Sequence, residues 1–91
     1  MKKYVIEREI AGVDRLDRDQ LRGAAATSNE ALSKLGPQIK WLESFVVKDK
    51  TFCVYLAEDE EVIREHARLS GFPANRISEV TETISPATAA P

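Results

Sequence analysis

KYVIEREI, Lys3 to Ile10, is rich in β-branched and aromatic residues and runs on to Gly12, a pattern that predicts a strand followed by a turn. Side chains on a strand alternate between faces, so Glu7 and Glu9 share a face with Val5. Asp17, with Gln20 three positions later, forms a capping-box pair that opens a helix. Leu21, Ala24, Ala25, Ser28, Leu32 and Leu35 then fall within one arc of about 100°, and Gly36-Pro37 ends the helix. The small residues on that arc let the helix lie close to a sheet. IKWLESFVV (Ile39 to Val47) and TFCVYLA (Thr51 to Ala57) read as two more strands, and the polar connector Lys48-Asp49-Lys50 is short enough to make them an antiparallel hairpin.

A second helix opens at Asp59. Val62, Ile63, His66 and Leu69 lie on its apolar side with His66 in the middle, which aims the imidazole at the sheet. Glu61, Arg64, Glu65 and Arg68 occupy the other side at ion-pair spacing, as on a solvated face. Gly71-Phe72-Pro73 is a glycine-terminated helix end. RISEVTETI, Arg76 to Ile84, is a fourth strand. Residues 1–84 thus make one domain, and residues 85–91 a loose tail or an arm laid on another subunit.

The order β-α-β-β-α-β with a central hairpin is the ferredoxin-like, α+β arrangement. Right-handed crossovers give an antiparallel sheet in which the first strand lies between the third and fourth, with both helices on one face. The other face stays open, carrying either Val5, Cys53 and Tyr55 or the alternative set Ile6, Phe52 and Val54. Either set is too apolar to leave in water, so pairing of two copies through the open sheet face is expected, giving a homodimer of the dimeric α/β-barrel type.

Composition narrows the function more than it defines it. Of the 91 residues 43% are hydrophobic and 31% charged, as in an ordinary globular domain. No apolar run approaches the roughly 20 residues of a membrane span, and the first twenty residues lack the apolar stretch of a signal peptide, so a cytoplasmic location is expected. The net charge of −2, with no basic stripe, argues against nucleic acid as a partner. A single cysteine, Cys53, excludes an internal disulfide and any Cys-pair zinc motif.

Candidate chemistry is sparse. His66 is the one imidazole, a ligand type suited to nickel, zinc and copper, yet no second ligand stands beside it on its helix face. The alternative is a core-facing histidine hydrogen-bonded to a sheet or loop group. Cys53 sits mid-strand, where a free cysteine acts as a small hydrophobe unless a cation activates it. Glu7 and Glu9 on a dimer-facing surface require cations, a metal or protonation; near the strand end they are solvated or paired with Arg8 and Arg76. Trp41 is a packing residue or an aromatic wall for a ligand. No phosphate-binding glycine loop follows a strand, and no reaction class is written in the residues.

YVIEREIAGV, LGPQIKWLESFV, FCVYLAEDEEVIREHARLSGFPANRISEV and the closing ISPATA resemble the small bacterial domain-of-unknown-function family that includes a nickel-binding protein of actinobacteria. The resemblance implies a ferredoxin-like homodimer that binds nickel, or another divalent metal, for sequestration at its surface rather than for catalysis. It identifies no ligand set; the donors on offer are His66, Glu7, Glu9, Cys53, Glu61 and Glu65. The competing expectation is a small-molecule enzyme or ligand carrier of the dimeric α/β-barrel type, in which Glu7, Trp41, Tyr55 and His66 line a space beside the sheet.

Overall fold

A computed structural model of the chain describes residues 1–91. Its elements are β1 (Lys2–Glu9), α1 (Arg18–Leu35), β2 (Ile39–Val47), β3 (Lys50–Ala57), α2 (Glu60–Ser70) and β4 (Arg76–Glu79), with short 3-10 turns at Val13–Arg15, Gly36–Gln38 and Pro86–Ala89. The four strands form one antiparallel sheet in the order β2-β3-β1-β4. This is the expected α+β, ferredoxin-like arrangement. Val62 and Ile63 of α2 join Tyr4, Ile6, Ile39, Cys53, Tyr55 and Ala57 of the sheet in one core, with Leu32 and Leu35 of α1 packed against it.

Helix boundaries follow the local chemistry. The Asp17 carboxylate accepts from Gln20 N at 2.9 Å while Gln20 Oε1 accepts from Asp17 N at 3.0 Å, closing the capping box. Asp59 caps α2 by accepting from Val62 N, and Gly71 ends it at φ 81°, a left-handed conformation that a side chain would strain. The β2–β3 connection is tighter than its sequence implies: Lys48 and Asp49 form the turn and Lys50 already pairs with Val47. Asp49 takes the left-handed conformation and accepts from Ile10 N and, through Oδ1, from Gly12 N. These bonds fasten the loop after β1 to the hairpin, which places Ile10 and Val13 over that end of the sheet.

The ladder register corrects the expected open face. Val5 lies opposite Val54 and Ile6 opposite Cys53. Directly opposed residues share a face, so each expected set mixed two faces. Tyr4, Ile6, Arg8, Thr51, Cys53 and Tyr55 are buried on the helix side, whereas Val5, Glu7, Phe52, Val54 and Leu56 lie on the other side and are only half buried. Phe52 to Ala57 is apolar at every position, so its pattern cannot reveal which parity faces in.

β2 departs from simple alternation. A bulge between Trp41 and Glu43 leaves Leu42 unpaired and exposed, and brings Trp41 and Ser44 onto the same face, opposite Tyr55 and Cys53. Trp41 Nε1 then donates to Ser44 Oγ at 2.9 Å. β4 stops at Glu79 rather than Ile84: Glu79 pairs with Tyr4, Val80 N makes a last bond to Lys3 O, and the chain beyond it leaves the ladder. No helix is long and apolar enough to cross a membrane.

Replacing Asp17 with Ala removes one half of the capping box at an exposed site without touching the core. Urea denaturation is expected to show a loss of about 1 kcal/mol, with an unchanged slope.

Candidate functional site

The chain places a polar cluster inside the fold. Arg8, on β1, alternates with Tyr4 and Ile6 and so points toward the helices, where it is only 3% exposed. Its Nη1 donates to Pro73 O at 2.8 Å and more weakly to Phe72 O at 3.4 Å. Its Nη2 reaches His66 Nδ1 at 3.5 Å. All three acceptors are neutral, and no carboxylate lies within ion-pair distance of the guanidinium.

His66 is aimed at the sheet, as its place on the helix requires, and is 1% exposed. Arginine can only donate, so Nδ1 is the acceptor, the ring proton sits on Nε2, and Nε2 donates to Ser28 Oγ at 3.1 Å. Burial first, and the neighbouring Arg8 charge second, lower the His66 pKa from 6.5 to about 4. The imidazole is therefore neutral at pH 7, and its position near the C-terminal end of α2 does not recruit a proton. The Tyr55 ring packs against His66 at 5.2 Å between centroids and lies under the Arg8 guanidinium at 5.9 Å. Burial raises the Tyr55 pKa, offset in part by Ser28 and the Arg8 charge.

This cluster borders a cavity of about 240 Å³ between α1 and the helix-side face of the sheet. Leu21, Ala24 and Ala25 of α1 and Trp41 and Val46 of β2 supply apolar wall, and Arg8, Ser28, Thr51 and Tyr55 supply the polar groups. Trp41 stacks on Tyr55 at 6.4 Å, so its ring is both packed and part of a wall.

The six candidate metal donors do not meet. His66 and Cys53 lie inside on the helix side, Cys53 with its Sγ 3.4 Å from Thr51 Oγ. Glu7 is on the open face, paired with Lys50 at 3.3 Å, not with Arg8, which points the other way; Glu9 is exposed at the strand end. Glu61 and Glu65 are on the outer side of α2, and Glu65 is ion-paired with Arg68, which lowers its pKa. No group of three or more His, Cys, Asp or Glu side chains is close enough to hold a metal ion. At His66 a dication would sit against the Arg8 guanidinium.

The sequence offered Arg8 only as an ion-pair partner for Glu7 or Glu9, and Ser28 only as helix packing. The available signal was parity: Arg8 shares its face with Tyr4 and Ile6, while Glu7 shares its face with Val5.

His66 makes stability depend on pH in a fixed direction. Its folded pKa lies below its unfolded one, so the unfolded chain binds more protons, and stability present above pH 6.5 falls as pH drops toward about 4. Urea denaturation at pH 7 and pH 4.5 is expected to show a His66 contribution on the order of 2 kcal/mol, absent from His66→Gln. Equal losses in both proteins would remove His66 as the source.

Comparison with known proteins agrees with the topology. SCO4226 from Streptomyces coelicolor A3(2), known from a crystal structure, superposes with a TM-score of 0.74 at 15% sequence identity, covering 90% of this chain and 99% of that one. At that identity the likeness concerns the fold. No curated protein matches. The family described as nickel responsive protein SCO4226-like matches residues 4–80, most of the chain, and the protein belongs to that family.

Proposed function

We propose that the protein is a nickel-binding, or divalent-metal-binding, homodimer that holds the ion as cargo at its surface. Membership of the nickel responsive family over residues 4–80 is the observation that supports this. Within one chain the accessible donors are oxygens. Glu61 and Glu65 stand one turn apart on the outer side of α2, Glu61 has no ion-pair partner, and Glu65 would exchange Arg68 for the metal. Two carboxylates make a weak site for nickel, so the remaining donors come from water or a second copy.

The open sheet face supplies the means of pairing. Val5, Phe52 and Val54 form its middle, Phe45 and Val47 add apolar surface that is 53% and 39% exposed, and the Glu7–Lys50 pair sits beside them. A second copy laid back to back covers this surface and brings two sets of Glu7 and Glu9 toward one interface.

Titration calorimetry with Ni²⁺ on metal-stripped protein is expected to show binding tighter than millimolar, weakened about tenfold or more by Glu61→Gln with Glu65→Gln. Loss through Glu7→Gln with Glu9→Gln instead would move the site to the paired faces, and affinity no better than millimolar would overturn the reading. Light scattering after size exclusion is expected to give a dimer that Phe45→Glu converts to monomer.

A further inference from the structure

The cavity beneath α1 has a composition that nickel binding does not use. Its walls are apolar, and the one full charge at its surface is Arg8. A buried guanidinium is ordinarily matched by a carboxylate, because removing the charge from water is costly unless an opposite charge replaces the lost solvation. Here Nη1 is directed to two backbone carbonyls and Nη2 to a histidine nitrogen. Nε is engaged by none of these acceptors, and Arg8 is itself one of the residues that line the cavity. Tyr55, whose ring lies under the Arg8 guanidinium at 5.9 Å, and Ser28 line the same cavity.

We propose that this cavity is a binding site for a small monocarboxylate with an apolar tail, its carboxylate held by Arg8 with the Tyr55 and Ser28 hydroxyls and its tail lying along Trp41, Leu21 and Ala25. A single cation calls for a single negative charge. Apolar walls exclude a ligand that is polar throughout, such as inorganic phosphate. At ~30 Å³ per water-sized group, 240 Å³ holds about eight such groups, the size of hexanoate or benzoate and below the drug-sized range. The carboxylate also supplies the counter-ion that the fold does not give Arg8.

The site is on the opposite face of the sheet from Glu7 and away from the outer side of α2, so it is tested on metal-stripped protein, independently of nickel. Trp41 at the wall provides a fluorescence signal. Hexanoate and benzoate are titrated against hexanol, which has the tail without the charge, and against inorganic phosphate, which has the charge without the tail. Saturable binding of either carboxylate at about millimolar or tighter is expected, with hexanol and phosphate about tenfold weaker or more. Ala25→Leu, which fills the cavity and leaves Arg8 in place, is expected to abolish binding in a folded protein, as judged by circular dichroism. Arg8→Lys is expected to weaken the carboxylates and not hexanol. Equal binding of hexanol or of phosphate, full binding by Ala25→Leu, or no carboxylate binding at about 10 mM would each overturn the proposal.

Discussion

The placement of a guanidinium inside a small domain governs the arrangement around it. Arg8 has no carboxylate to answer it, so neutral acceptors must come to it from the surrounding elements: the carbonyls of Phe72 and Pro73 after α2, and His66 within α2. His66 passes the connection on to Ser28 of α1. One charge thereby links β1 to both helices. It also fastens the connection between α2 and β4, where the Pro73 carbonyl, at 2.8 Å, is the shortest acceptor Arg8 has.

Most of the scaffold was legible because each element carried two agreeing signals. α1 had a periodic arc and a capping box; α2 had a cap, a glycine stop and a histidine on the apolar side. The parts that were not legible depend on pairing, which a single strand does not encode. Phe52 to Ala57 is apolar throughout, so only its register against β1 assigns faces. The bulge at Leu42 brings Trp41 and Ser44 together, though simple alternation would separate residues three apart. Arg8 was hidden for a different reason: arginine reads as surface by type, and only its alternation with Tyr4 and Ile6 argued otherwise.

The same sheet separates two kinds of chemistry. The helix side holds the histidine, the thiol and the guanidinium, which are the groups that a search by residue type selects first. The exterior and the open face hold the carboxylates. A cation and an apolar anion therefore have no reason to compete for the same groups, and a change on one side of the sheet can leave the other intact.

The bulge in β2 has a consequence at the sheet's rim. β2 is an edge strand, and edges invite further strands unless something interrupts them. Its first half is guarded by Lys40, by Glu43 and by the distortion at Leu42. Beyond Ser44 the strand returns to regular pairing with exposed Phe45, Val46 and Val47 and no charge until Lys48. Along β2, those few residues are the segment least defended against docking with a strand from another molecule.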